Sequence, residues 1–330
     1  FSSTLPDAVD VSAVFSRDIR LASPLISAAM DRVTESKMAI AMARSGGLGV
    51  IHRNMSIAEQ SQQVVRVKRS QSGWITDPVT LSISATLQDA EDIMSQFHIS
   101  GVPIVNAERK LVGILTNRDT RFCEAQDFAR SVADFMTAAP LITAPMGTTL
   151  AQARTILGKH RLEKLPLVDS DGTLMGLITV KDILKATEHP NATQDERGRL
   201  RCGAAVGVGA DLEERVNALV KAGVDAVCID TAHGHSLGVL NAIRRIRSDW
   251  PDLAIVAGNV VTAEGVEALV EAGADTVKVG VGAGSIRTTR VVSGAGLPQL
   301  SAIWEAARAA DRLHIPIIGD GGVAYSGDIV

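Results

Sequence analysis

The sequence predicts an α/β protein built on a (β/α)8 barrel with a smaller module inserted into it. Three observations carry this prediction: strand-length apolar runs alternate with helical stretches, polar and glycine residues gather just after each run, and one segment is repeated within the chain. Of the 330 residues 46% are hydrophobic but only 3% aromatic, so packing falls to Ala, Val, Ile and Leu, in a length that accommodates two domains.

The strand candidates are, in order, Leu25 to Ser27, Leu48 to Ile51, Ala204 to Gly207, Ala226 to Ile229, Leu253 to Val256, Val277 to Val281 and Ile315 to Ile318. Short, nearly continuous apolar runs of this kind suit a parallel sheet covered on both faces. Helical spacing lies between most of them, as in Leu212 to Lys221 and Ala263 to Ala272. The clusters that follow the runs are Met30-Asp31, His52-Arg53, Asp230-Thr231-Ala232-His233, Gly258-Asn259, Gly282-Ala283-Gly284-Ser285 and Asp320-Gly321-Gly322. That placement matches the carboxyl-terminal rim of a (β/α)8 barrel, where the strand-end loops share the site. A doubly wound open sheet is the rival, but it gathers ligand groups at one switch point rather than after nearly every strand. Seven strand candidates are present and Val330 falls where a further helix should begin, so the last βα unit is expected to be absent from this chain.

The inserted module is read from an internal repeat. Thr86-Leu87, Gly101-Val102-Pro103-Ile104-Val105 and Leu111 to Asp119 reappear as Thr149-Leu150, Lys164-Leu165-Pro166-Leu167-Val168 and Leu174 to Asp182, all at one offset of 63 residues. Each copy reads as a helix, a strand of the form (V/L)P(I/L)V, a turn, a second strand, and a helix starting near Thr-x-x-Asp. Two copies are too few for a solenoid, so a pair burying its sheets together is expected. The organisation predicted is therefore barrel at 1–73 and 189–330, with the module at 74–188 divided into copies of about 74–130 and 131–188.

Net charge is −4 with acids and bases interspersed, which lacks the basic footprint of a nucleic-acid binder. No apolar run approaches a membrane span and no signal-peptide pattern opens the chain, so a cytoplasmic protein is expected. Cys123, Cys202 and Cys228 are far apart with no CxxC pair, and Cys228 sits within an apolar run where a small hydrophobe packs well. His233 and His235 alternate at a strand end without a third ligand, which argues against a metal.

The rim segments, taken in order, resemble the IMP dehydrogenase and GMP reductase family over nearly the whole chain: Ser27 to Asp31, Gly49 to Asn54, Ile229 to His235, Ala257 to Val260, Lys278 to Gly282, and Asp320 to Gly322. The repeated units resemble CBS domains, which pair in tandem and often bind adenine or guanine nucleotides. Their position after the second barrel strand resembles IMP dehydrogenase, since most GMP reductases lack them. The resemblance implies attack of a cysteine thiolate on C2 of IMP, hydride departure to NAD, and hydrolysis of the thioimidate to XMP. It implies that Asp320 binds the IMP ribose, that Ser285 and the Gly321-Gly322 backbone hold the phosphate, and that Met30 packs on the base. By the same pattern Asn259 contacts the reacting purine, Asp230 the nicotinamide ribose, and Thr289 the hydrolytic water, while carbonyls of Gly282, Gly284 and Arg287 match a K⁺ site. In the module, Thr116 and Asp119, with Thr179 and Asp182, match a pattern whose Asp binds the ribose of ATP or GTP, and Arg118 and Lys181 add charge for phosphate. A homotetramer or octamer is implied as well.

Each of these residues has a plainer reading. A Gly-rich turn is usually only a tight connection. Asp230, and the Thr and Asp of each Thr-x-x-Asp, suit helix caps. Their joint occurrence favours the functional reading.

The pattern breaks at one position. Where the family carries Gly-Pro-Gly-Ser-Ile-Cys-Thr-Thr-Arg, this chain has Gly282-Ala283-Gly284-Ser285-Ile286-Arg287-Thr288-Thr289-Arg290. A guanidinium stays protonated and has no lone pair for attack, so Arg287 cannot replace the thiolate. A Cys codon becomes an Arg codon by one base change, so Arg287 is open to reading as an engineered or accidental change in an IMP dehydrogenase with impaired chemistry. A natural non-catalytic nucleotide binder and a different purine-nucleotide reaction also stay open. A GMP reductase ranks behind them because it too needs the thiol.

Overall fold

The computed structural model describes residues 5, 8–70, 75, 78–284 and 289–329. The chain divides into two compact units, Phe1–Gln71 with His189–Val330, and Ser72–Glu188.

In the first unit seven strands form one wholly parallel sheet: Ile26–Ser27, Leu48–Ile51, Gly203–Val206, Ala226–Asp230, Ala254–Val260, Thr276–Val279 and Ile317–Gly319. Each strand pairs with its neighbours in chain order, even across the insertion, where Val50 opposes Gly203 and Ile51 opposes Ala204. The strand order never reverses, so there is no switch point and the doubly wound rival is excluded. The sequence placed all seven strands within a few residues. Its largest boundary error is at Ala254–Val260, which runs four residues beyond the apolar stretch.

Alternation along each strand creates two cores. Ala204, Val206, Val227, Ile229, Ile255, Ala257, Val277 and Val279 face the helices, which return Val216, Leu219, Ile243, Leu269 and Ala306 to the same layer. The intervening positions Leu48, Val50, Ala205, Ala226, Cys228, Ala254 and Val256 pack with Phe15, Ile19 and Leu21 on the other face. These three belong to a hairpin, Ala13–Ser16 with Ile19–Leu21, that sequence reasoning missed because its turn, Arg17-Asp18, carries no Gly or Asn. The hairpin is held by Thr276 Oγ1, which donates to the Phe15 carbonyl at 2.7 Å, and by Arg17, paired to Asp275 at 2.9 Å.

Helix Ser36–Arg44 lies so close to strand Leu48–Ile51 that a Cβ at Gly49 would stand 2.4 Å from the Ala39 Cα, which makes glycine obligatory there. Buried Gln60, from helix Ile57–Ser70, donates to the Ala205 carbonyl at 2.8 Å and accepts from Arg215 at 2.9 Å. Lys68, in the last turn of that helix, reaches Asp225 at 2.7 Å, Asp195 at 3.3 Å and the Leu200 carbonyl at 3.0 Å, all in buried surroundings. Lys68 precedes the insertion and its partners follow it, so one ammonium joins the two chain segments of the sheet.

The second unit repeats itself in structure. Helices Leu87–Phe97 and Leu150–His160 both begin with a Thr capping box, and antiparallel pairs Gly101–Val105 with Leu111–Thr116 and Lys164–Val168 with Leu174–Thr179 share one register. Each copy buries its own apolar cluster. The copies differ after the second strand, where Val180–Glu188 is a full helix but Asn117–Thr120 is a single turn followed by 3-10 helices. A new capping box between Glu124 and Asp127 restarts the chain there, which the repeat alone did not foretell.

Candidate active site

The rule that separates the two cores also builds the site. On the face away from the helices, the position two residues past Cys228 is Asp230, and the position two past Ile318 is Asp320, while Lys278 lies between the helix-facing Val277 and Val279. Three of four consecutive strands thus place charged groups on one face, at the carboxyl-terminal end of the sheet.

These groups meet. Lys278 Nζ lies 2.8 Å from Asp230 Oδ1 and 2.7 Å from Asp320 Oδ2. The lysine side chain is 16% exposed and each carboxylate 35%, so the acids reach the rim while the ammonium stays beneath them. Burial by itself depresses an ammonium, but the neighbouring Asp320 and Asp230 carboxylates outweigh it and hold Lys278 above the usual lysine range. Lys278 was read only as part of a motif. A lone charged residue inside the doubly buried run Thr276–Val279 was the available signal.

Asn259 completes the cluster. Strict alternation would turn its side chain toward the helices with Ala257, but pairing with the next strand shifts register between Gly258 and Val260. Its Nδ2 instead donates to Asp320 Oδ2 at 2.7 Å and to the Gly280 carbonyl at 2.6 Å. Its Oδ1 is buried without a partner among the described residues, the condition of a group awaiting a donor. Gly258 permits this closeness, since a Cβ there would come within 2.5 Å of the Lys278 carbonyl oxygen. The loop after Asp230 is fastened to the same point: Thr231 Oγ1 donates to the Gly258 carbonyl at 2.7 Å, and the Gly234 N–H donates to the Asn259 carbonyl at 2.8 Å.

The other site candidates are placed as follows. Met30 is half-buried after the first strand, and Gly321 and Gly322 are exposed beside Asp320 with φ of +77° and +78°. Gly282 has φ of +68°, and Gly284 is half-buried. Ser285 and Arg287 lie outside the described residues, and Thr289 is described only as the first residue of the short helix Thr289–Ser293. Asp230 does not cap a helix: Ser236 precedes Leu237–Asp249, and the Asp230 carboxylate faces Lys278.

None of the three cysteines stands in for a nucleophile. Burial pushes the Cys228 thiol up to about 12 and drives Cys202 higher still, while Cys123 belongs to the other unit and is also raised by burial. At that value roughly one Cys228 thiol in 10⁵ is ionised at neutral pH.

One cluster invites a metal reading that the sequence did not suggest. Asp31, Glu35 and His52 converge, with His52 Nε2 at 3.7 Å and 3.8 Å from the two carboxylates. However, His52 Nδ1 accepts the Asn54 N–H at 3.1 Å, so the neutral ring carries its proton on Nε2 and has no lone pair to offer there.

In the second unit, Thr116 and Thr179 each direct a backbone N–H and a hydroxyl to Asp119 and Asp182, so each aspartate is the third-position partner of a threonine capping box. A cleft of about 370 Å³ is lined by Thr116, Arg118 and Asp119 from one copy and by Arg161, Glu163 and Lys164 from the other. Thr179 and Asp182 are not in that lining, so the two repeats do not contribute equivalently.

Over residues 1–330 the chain matches the IMP dehydrogenase / GMP reductase domain. The chain belongs to this family. Curated IMP dehydrogenases of Aquifex aeolicus and Halalkalibacterium halodurans are 56% and 57% identical over the whole chain, which spans 67% of each. The Bacillus subtilis IMP dehydrogenase is 56% identical over 99% of the chain and 67% of its own length. Among solved structures, GMP reductase from Trypanosoma brucei in complex with guanosine 5'-triphosphate is 39% identical with a TM-score of 0.85, covering 96% of this chain and 77% of that one. A variant of that enzyme in complex with guanosine 5'-monophosphate is 38% identical with a TM-score of 0.87, covering 99% and 69%. This GMP reductase matches nearly the whole chain, insertion included, so the inserted unit by itself does not exclude a reductase. Among the described residues no helix is long and apolar enough to cross a membrane.

Proposed function

We propose that this chain is the catalytic unit of an IMP dehydrogenase that retains nucleotide recognition and has lost the thiol chemistry. The observation that carries the reading is the convergence of Asp230, Lys278, Asn259 and Asp320 at the rim of a singly wound parallel sheet. Identity favours the dehydrogenase branch, at 56–57% for the curated dehydrogenases against 38–39% for the GMP reductases. On this reading the parallel sheet belongs to a (β/α)8 barrel and the second unit is a tandem CBS module.

Asp320 accepts the ribose hydroxyls of IMP, Gly321 and Gly322 offer backbone N–H groups to its phosphate together with Ser285, and Met30 packs on the base. The unpartnered Asn259 Oδ1 suits a donor on the purine. Asp230 accepts the ribose hydroxyls of NAD, which supplies the hydride acceptor when bound. Its partly exposed carboxylate fits that diol. Carbonyls of Gly282, Gly284 and Arg287 suit K⁺ as hard oxygen ligands. Thr289 positions water.

Arg287 stands where the family has its nucleophile, and neither barrel cysteine supplies a thiolate. A non-catalytic nucleotide-binding role is therefore the second reading, favoured by that residue alone. Calorimetric titration with IMP tests the shared premise: the chain binds IMP, and Asp320→Ala weakens binding at least about tenfold, as loss of charge-assisted hydrogen bonds implies. Equal binding by the variant would refute the assignment.

The cleft of the second unit is proposed to bind ATP or GTP, with Asp119 accepting ribose hydroxyls and Arg118, Arg161 and Lys164 facing phosphate. Because Asp182 is outside the cleft lining, titration of the full chain should show Asp119→Ala weakening nucleotide binding more than Asp182→Ala does. Equal losses would argue against this cleft.

A further inference from the structure

Lys278 is the one side chain among the described residues that contacts both acids assigned to the two nucleotides. Its Nζ lies 2.8 Å from Asp230 and 2.7 Å from Asp320, and it is less exposed than either. The groups around the ammonium are Asp230 and Cys228 on strand Ala226–Asp230, which lies beyond the neighbouring strand Ala254–Val260, Asp320 after the neighbouring strand Ile317–Gly319, and the neutral Asn259 amide bonded to Asp320. Two carboxylates close enough to share one ammonium repel each other strongly when it is removed. Ribose recognition needs each carboxylate ionised and aimed outward, conditions that an isolated like-charged pair at a partly buried rim does not meet.

We infer that Lys278 is a positioning residue, a shared support that holds Asp230 and Asp320 side by side and so makes the two ribose subsites depend on one ammonium. The inference rests on the proposal that Asp320 binds the IMP ribose. It implies a coupling by charge: without the ammonium, the Asp230 carboxylate disturbs a nucleotide it does not touch.

The test is titration of IMP, without NAD, into the full chain and into Lys278→Met, Lys278→Arg and the double variant Lys278→Met/Asp230→Asn. Thermal unfolding of each accompanies the titrations. Lys278→Met should weaken IMP binding about tenfold or more, as loss of one member of a desolvated charge pair does. Lys278→Arg should stay within about threefold, because the guanidinium restores the charge. The decisive result is the double variant: removing the second negative charge should recover most of the affinity lost in Lys278→Met. Packing alone predicts no such rescue. Should Lys278→Met fail to fold, Lys278→Gln, which keeps donors but not charge, takes its place in the same comparison. Unchanged binding in the single variant, or no recovery in the double variant, overturns the inference. If the unmutated chain does not bind IMP, the substrate proposal fails and this inference falls with it. Binding by that chain without charge-dependent rescue overturns the inference alone.

Discussion

Arg287→Cys, in a chain carried on to the full length of the curated relatives, should raise IMP-dependent NADH formation from background by several orders of magnitude. Removal of a covalent nucleophile commonly lowers rate by that much, and restoring it should reverse the loss when the rest of the site is intact. The remaining thiols cannot mask the effect, because burial keeps Cys228 and Cys202 protonated near neutral pH. Arg287→Ala and Arg287→Ser serve as controls. Both remove the guanidinium, yet neither supplies a soft nucleophile that can also leave, so both should stay near background. Activity in the Ala variant equal to that of the Cys variant would show that Arg287 blocks the site rather than replaces a required thiol.

Lys68→Met should destabilise the first unit by about 3–5 kcal/mol, the effect of leaving buried charge uncompensated. The Asp225 carboxylate has Lys68 at 2.7 Å and the Cys202 N–H at 2.9 Å, and burial holds it above the usual carboxylate range even so. Losing the ammonium raises it further. A carboxyl whose folded value lies above its unfolded value binds protons more tightly when folded, so its contribution to stability falls as pH rises through that interval. The deficit of Lys68→Met should therefore be larger at pH 7.5 than at pH 4.5. Urea unfolding followed by circular dichroism measures both effects. Lys68→Met/Asp225→Asn should recover part of the loss at pH 7.5, and a deficit independent of pH would assign Lys68 a packing role only.

Much of this fold was legible in the sequence because parallel strands buried on both faces leave an unambiguous trace. Runs such as Ala226 to Ile229 and Ala204 to Val206 are wholly buried, and the polar or glycine residue that follows each run marks the rim. The same regularity placed Asp230 and Asp320, and it could have placed Lys278, whose charge within an apolar strand has no other explanation. Asn259 was legible as a rim residue but not in its aim, because a register shift reversed what alternation predicts. The hairpin at Ala13–Ser16 escaped because its Arg17-Asp18 turn lacks the Gly or Asn that signals a tight hairpin, and its role depends on filling a face formed by strands far away in the chain. The meeting of Asp31, Glu35 and His52 was equally invisible, since it depends on two strand-end loops coming together in space.

The Thr-x-x-Asp motifs show a different limit. Sequence weighed capping against nucleotide binding as competitors, yet at Thr116 and Asp119 both uses are compatible. One carboxylate oxygen caps the helix while the residue still lines the cleft. The 63-residue offset was faithful to strands and helix starts, but it did not distinguish the copy whose Asp lines the cleft from the copy whose Asp does not.

The central claim separates recognition from chemistry, and one measurement addresses both halves. The unmutated chain is titrated with IMP in the presence of saturating NAD, with binding heat and absorbance of NADH followed on the same samples. The account predicts saturable IMP binding with no NADH above background. Robust NADH formation with Arg287 in place would contradict it, because the reaction would then not pass through a thiol at this position.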